Sequence, residues 1–259
     1  MPDLDSGSVG GPQPPVDRGG PWTWDLSGTP TDALPLTLHV AQRRLTVGTL
    51  LALRVAAAIG ADRLGDLVAG AGFTARSRPS DTRRGTLEVV AERQRTLADS
   101  VAPGMRLLVC GVNPSLHSAD AGVGYARPGN RFWPAALAAG VATVDRDPVA
   151  ALARGLGMTD FAKRATRTAA EVTGAEYEAG FGRVTRLVEW LDPGAVCFVG
   201  LSGWRTVVDR RAVAGVQTDR IGGRPAYVMP STSGLNARTS LNELADHLTA
   251  AWVLAGTTG

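Results

Sequence analysis

The 259 residues, 44% apolar and 20% charged, have the composition of a soluble globular protein of one or two domains. The most apolar stretch, Thr49–Ala61, contains Arg54 and falls short of the roughly 20 residues a membrane span needs, and two cysteines, Cys110 and Cys197, exclude a four-cysteine zinc or iron–sulfur centre and a disulfide framework. The net charge of +3 rests almost wholly on arginine, with Lys163 the one lysine, which allows a nucleic-acid partner and does not require one.

Residues 1–33 are dense in Gly, Pro, Asp and Ser and lack an apolar period, so a disordered tail is expected there, with Trp22 and Trp24 as a local packing point. Its acidic, Gly/Pro-rich start is unlike a signal peptide, and a cytoplasmic location is expected. Residues 34–99 read as an accessory helix/strand segment of unknown role. Leu50, Leu51, Val55, Ala58 and Ile59 fall near helical spacing, Leu64, Leu67 and Val68 continue the helix, and Gly70-Ala71-Gly72 ends it; Thr86–Ala91 reads as a strand.

From residue 101 to 254 short apolar runs alternate with amphipathic segments, the pattern of an α/β domain with a mainly parallel sheet. Arg106–Gly111, Ala195–Gly200 and Pro225–Pro230 read as strands buried on both faces, the first two each holding one cysteine. Asn130 precedes a helix through Phe132, Trp133 and Leu137 to Gly140, and Val184, Leu187, Val188 and Leu191 mark a second helix ending near Asp192-Pro193. A third begins at a Ser240/Glu243 capping box and places Leu241, Leu244, Ala245, Leu248 and Trp252 on one face.

In such sheets ligands bind beyond the carboxyl ends of the strands. Two loops leave those ends with unusual content. Gly111-Val112-Asn113-Pro114-Ser115 opens a segment that runs through Ser118, Tyr125 and Asn130 to Trp133, offering an Asn fixed by a following Pro, glycines that permit close approach, and an aromatic able to stack on a flat ligand. Met229-Pro230-Ser231-Thr232-Ser233-Gly234-Leu235-Asn236-Ala237-Arg238 leads directly into the last helix.

GVNPSLHSADAGVGYARPGNRFW resembles the first motif of the mismatch-specific uracil/thymine-DNA glycosylases, GINPG followed by P-x-N-x-FW, and MPSTSGLNAR resembles their second, about 120 residues later. The intervening GMTDFAKRATRTAAEV resembles the family's GVTxLVxRPT stretch, so the similarity spans residues 101–252 and leaves 1–100 uncovered. The resemblance implies a three-layer α/β/α fold with a short, mainly parallel sheet. It also implies a monofunctional enzyme that removes uracil, with thymine or other damaged bases as further substrates, from mismatched duplex DNA. Asn113 would hold the attacking water. Val112, Ser118 and Tyr125 would bind the extruded base, with Tyr125 stacking on it, while Ser233, Gly234 and Leu235 would wedge into the duplex and Arg238 would contact DNA. The family's arginine sits one residue earlier, where this chain has Ala237, which leaves the role of Arg238 open.

A neutral amide is a poor base, so a slow enzyme that depends on a good leaving group is expected. His117 reads as a solvated loop residue, and no histidine stands in the second motif to support a departing anion. Lyase chemistry needs an amine, and Lys163 is the one side-chain candidate. No metal or cofactor is expected, and the protein is expected to act as a monomer. Two alternatives are a glycosylase that takes hypoxanthine, xanthine or ethenocytosine on the same scaffold, and a non-catalytic module that binds damaged DNA.

Overall fold

The structure, a computed structural model, describes residues 20–82 and 85–256, so residues 1–19 of the expected tail lie outside the described residues. The chain divides into two compact units, residues 1–94 and 95–259.

The first unit is built on a five-stranded sheet. Its elements are β1 (Trp22–Leu26), α1 (Leu34–Gln42), β2 (Leu50–Ala56), α2 (Ala61–Gly70), β3 (Phe73–Ala75), β4 (Ser80–Thr82) and β5 (Thr86–Arg93). β1 runs parallel to β2, and β5 runs antiparallel to β2, β3 and β4. Two expectations are corrected here. The segment expected as a tail holds an ordered strand from Trp22, with Trp24 and Leu26 buried. The helix expected from Leu50 is a strand as far as Ala56, because Leu51, Leu53 and Val55 are buried alternately, a period of two that also fits a β-branched valine. Gly60, at φ +76°, then turns the chain into α2, whose Leu64, Leu67 and Val68 are buried at helical spacing.

The second unit holds β6 (Leu107–Gly111), α3 (Leu116–Ala121), α4 (Phe132–Ala138), α5 (Pro148–Ala153), β7 (Leu156–Asp160), α6 (Gly174–Leu191), β8 (Ala195–Val199), α7 (Leu201–Val207), β9 (Gly215–Ile221), β10 (Arg224–Met229) and α8 (Leu241–Gly256). The sheet order is β7-β6-β8-β10-β9, parallel throughout except for β9, which pairs antiparallel with β10. Alternation along the strands sorts the core into two layers. Leu107, Val109, Ala195, Cys197, Val199, Tyr227 and Met229 meet Phe132 and Trp133 of α4 and Leu244, Leu248 and Ala251 of α8. On the opposite face Phe198 packs on Trp204 of α7 at 4.8 Å and on Phe161 at 5.2 Å, with α6 beside α7. The result is the expected α/β/α arrangement. Trp133 and Trp204 are almost wholly buried, and truncating either to alanine would cost roughly 3–5 kcal/mol.

The three expected strands and three expected helices of this unit are present to within a few residues. β7 and β9 were not anticipated: β7 is a short run broken by Gly157 and Thr159, and β9 is a largely exposed edge strand rich in polar residues. The unit also starts earlier than residue 101, because Ser100 exchanges backbone hydrogen bonds with Met158 at 2.8 and 2.9 Å. The capping box of α8 forms as the sequence suggests: the Ser240 N–H donates to Glu243 Oε2 and the Glu243 N–H donates to Ser240 Oγ. Among the described residues no helix is long and apolar enough to cross a membrane.

Candidate active site

Parallel pairing places the C-terminal ends of β6, β7, β8 and β10 along one edge of the sheet, and three loops leaving that edge meet. The loop after β6 carries Asn113. Its Nδ2 donates to the Arg164 carbonyl at 2.9 Å, to Thr166 Oγ1 at 2.7 Å and more weakly toward the Pro114 carbonyl at 3.2 Å. Two of these partners are carbonyl oxygens and can only accept, so the amide nitrogen must face them and Oδ1 must face the other way. Thr166 is buried, and its hydroxyl donates onward to the Thr168 carbonyl at 2.7 Å, which leaves its lone pair for Asn113. The two loops are also laced through their backbones, by Thr166 N–H to the Pro114 carbonyl, Leu116 N–H to the Thr166 carbonyl and Ala162 N–H to the Val112 carbonyl. Asn113 is therefore a half-buried side chain of fixed orientation whose amide oxygen has no partner among the described residues.

The remaining expected residues of this loop have distinct surroundings. Val112 lies beside Asn113 with its carbonyl held by Ala162. Ser118 is buried, and its hydroxyl accepts from Ser115 at 3.0 Å and from the Ala126 N–H at 3.2 Å, so the side chain holds the loop rather than projecting from it. Tyr125 stands at φ +58°, in the left-handed region, and stacks on Phe132 at 4.1 Å with 18° between the rings. Its hydroxyl is buried without a partner, and burial, with the neighbouring Asp160 charge, pushes the phenol well above its ordinary range. His117 is exposed.

The loop between β10 and α8 carries Ser233, Gly234, Leu235 and Arg238. Its turn is tied internally: the Leu235 N–H donates to Ser233 Oγ, the Asn236 N–H donates to the Ser233 carbonyl, and Asn236 Nδ2 reaches the Ser231 carbonyl at 2.8 Å. Leu235 projects from it at 85% exposure, the largest value among the exposed apolar side chains, and Arg238 is exposed nearby. Arg131 fastens this loop to the first one. Its N–H donates to the Thr232 carbonyl at 2.9 Å, and its guanidinium donates to the carbonyls of Asn236 and Thr239. Gly234 completes the fit, because a Cβ there would lie 2.9 Å from the Gly129 carbonyl oxygen.

A group absent from the sequence expectations stands at the end of β7. Asp160 is in register with Gly111, and a Cβ built on Gly111 would lie 2.3 Å from Asp160 Oδ1 and 2.9 Å from Tyr125 Oη. Burial pushes this carboxyl up to about 6; the Lys163 and Arg183 charges pull it down and Asp99 pushes it further up. Behind it lies a buried ion network. Asp99 accepts from Lys163 Nζ at 2.8 Å and from Arg183 Nη1 at 2.7 Å, and Arg183 Nη2 donates to the Asp160 carbonyl at 2.8 Å, fixing the strand end. Burial alone would raise Asp99, yet the Arg183 and Lys163 charges hold it below the ordinary carboxylate range. The sequence offered a faint signal for Asp160: it closes Leu156–Asp160, whose apolar members are Leu156 and Met158, at the end where a parallel strand delivers its ligand-facing residue.

The family model described as the uracil DNA glycosylase superfamily matches residues 98–254. The chain belongs to the uracil DNA glycosylase superfamily. Its members are DNA glycosylases, hydrolases of base excision repair, and the matched span begins just before Asp99 and closes within α8. A solution structure of a candidate uracil DNA glycosylase from Methanosarcina acetivorans is similar over 62% of this chain and 97% of that one, with 20% sequence identity and a TM-score of 0.44. Within the superfamily domain of this chain, Asn113, Tyr125, Asp160 and Leu235 all stand on the loop edge of the sheet.

Proposed function

We propose that this protein is a monofunctional DNA glycosylase that hydrolyses the N-glycosidic bond of uracil in mismatched duplex DNA. The observation that carries the reading is the clamped Asn113, whose Nδ2 is committed to Arg164 and Thr166 and whose Oδ1 is left to orient a water toward C1′. Base release breaks the C1′–N bond through an oxocarbenium-like sugar, so a positioned water and support for the departing base are the two requirements. Tyr125 offers the stacking face, worth roughly 1–3 kcal/mol per base. Val112 would meet the base beside Asn113, its carbonyl held by the Ala162 N–H, and Ser118 holds the loop that carries Tyr125. Leu235, with Ser233 and Gly234, fills the gap left in the duplex, and Arg238 meets backbone phosphate. Lys163 is paired with Asp99, which supports simple hydrolysis over a Schiff-base lyase step. The protein acts on double-stranded DNA as a monomer, in the cytoplasm, without a metal.

The test is incubation of wild type and Asn113→Ala with end-labelled duplexes carrying G·U, A·U, G·T or inosine, followed by alkali cleavage of abasic sites. Cleavage at uracil by wild type, reduced on the order of 10²–10³-fold in Asn113→Ala with duplex binding retained, is the expected outcome. Cleavage at inosine alone would transfer the mechanism to a purine substrate. Absence of cleavage with retained binding would make the protein a damaged-DNA-binding module.

A further inference from the structure

An extruded nucleotide swings about the two phosphodiesters that join it to its strand, so a protein that grips both hinges holds the flipped state. The loops of the candidate site carry charge suited to that task. Among the described residues of the second unit, the guanidinium groups of Arg127, Arg167, Arg210, Arg211 and Arg238 make no hydrogen bond or ion pair. Arg210 and Arg211 precede β9, whereas the other three stand one on each loop of the site, and all three are exposed. The acids of these loops are already engaged: Asp120 pairs with Arg95, Glu171 accepts from the Thr168 N–H, and residues 230–240 hold none. Arg127 and Arg167 also stand on fixed backbone. Thr166, bridged to Ser115, turns its side chain in to Asn113, so the next side chain, that of Arg167, turns outward. Arg127 opens a turn closed by the Asn130 N–H on its carbonyl at 3.0 Å, with Pro128 and Gly129 at the middle positions and Gly129 at φ +82°. The sheet order sets the side each arginine occupies. Asn113 leaves β6; Arg167 is on the loop from β7, to one side of β6, and the turn at Arg127 lies against Gly234 of the loop from β10, to the other.

Resting on the glycosylase reading above, we propose that Arg127 and Arg167 clamp the two phosphates that flank the extruded nucleotide, one arginine on each. With the base on Tyr125 and C1′ before Asn113, the sugar lies between the two arms, and its neighbouring phosphates fall toward Arg167 on the β7 side and Arg127 on the β10 side. A guanidinium suits this role because its planar fork donates two parallel N–H bonds to phosphate oxygens. Arg238, beside Leu235, is left for the duplex beyond the gap. Backbones that are already fixed lose little freedom on binding, so most of the attraction is kept. The contact displaces counterions condensed on the strand and weakens with salt. The ligand class implied is a nucleotide inside a continuous strand with a charged phosphate on both sides; a uracil at a strand end or a free nucleoside offers one hinge or none.

The experiment is a fluorescence-anisotropy titration of the full chain, between about 50 and 200 mM salt, on a duplex that carries the non-hydrolysable 2′-fluorodeoxyuridine opposite guanine. Arg127→Gln and Arg167→Gln should each weaken binding about tenfold at 0.1 M salt and flatten the plot of log K against log salt by about 0.9, while Arg127→Lys and Arg167→Lys should keep most of the slope. The same duplex is then made with an uncharged methylphosphonate in place of the phosphate on the 5′ or the 3′ side of the lesion. The loss from Arg167→Gln should vanish on one of these duplexes and the loss from Arg127→Gln on the other. An unchanged slope, losses that persist on both neutralised duplexes, or losses tied to one and the same phosphate would overturn the clamp. Release of uracil by the same preparations separates this from the reading it rests on. Slopes that fall as stated with a wild type that releases no base would leave a DNA clamp and remove the glycosylase, whereas excision with unaltered slopes would remove the clamp alone.

Discussion

Replacing Asp160 with asparagine should make the protein more stable at neutral and alkaline pH. An unfolded chain releases this proton near the ordinary carboxyl value of 3.8, whereas the folded protein holds it to about 6. Between those values the folded state binds more protons than the unfolded one, so folding stability falls as pH rises, and above about 6 the whole penalty is present. Each pKa unit is worth about 1.4 kcal/mol, which makes about 3 kcal/mol a ceiling, and roughly 2 kcal/mol is expected once the accessible part of the side chain is allowed for. Asparagine matches the shape, carries no charge and gives up no hydrogen bond that the aspartate makes within the described residues. Urea denaturation of the full chain, followed by tryptophan emission, should place the variant about 2 kcal/mol above wild type at pH 8 and within a few tenths at pH 4. A difference that is the same at both pH values, or a variant less stable at pH 8, would refute the claim that burial of an ionised carboxylate is the cause.

Asp99→Ala strands the buried Arg183 and Lys163 charges and should cost roughly 3–5 kcal/mol in the same denaturation assay. Gly180→Ala drives a Cβ to within 2.3 Å of the Phe161 carbonyl oxygen and should destabilise by about 1–3 kcal/mol in the same denaturation assay. Leu235→Ala should weaken binding of a mismatched duplex by on the order of tenfold in a fluorescence-anisotropy titration and leave binding of single-stranded uracil-containing DNA unaltered, since only the duplex has a gap to fill.

Where local chemistry is strong, the sequence could be read correctly. Continuous apolar runs marked β6, β8 and β10 because strands buried on both faces tolerate little else, and the Ser240/Glu243 pair marked the start of α8 because its bonds are made within four residues. β2 was misread because nine of the ten residues 50–59 are apolar, which satisfies a helical and an alternating template alike, and sheet pairing decided between them. The orientation of Asn113 depends on Arg164 and Thr166, more than fifty positions away, and no local pattern reports such a contact. Asp160 was passed over for a related reason: its chemistry comes from the absent side chain of Gly111 and the charges of Asp99, Lys163 and Arg183, which only the fold assembles.

The grip of Arg131 on the loop between β10 and α8 has an evolutionary corollary. It holds that loop by three main-chain carbonyls, those of Thr232, Asn236 and Thr239, and a carbonyl survives any substitution of the residue that bears it. Residues such as Leu235 and Arg238 can therefore be exchanged without loosening the mount, so the loop behaves as a replaceable cassette on a fixed bracket. Lineages could retune which duplex distortions are probed by drifting at these tips alone, while Arg131 and Gly234, which meet backbone, would resist change.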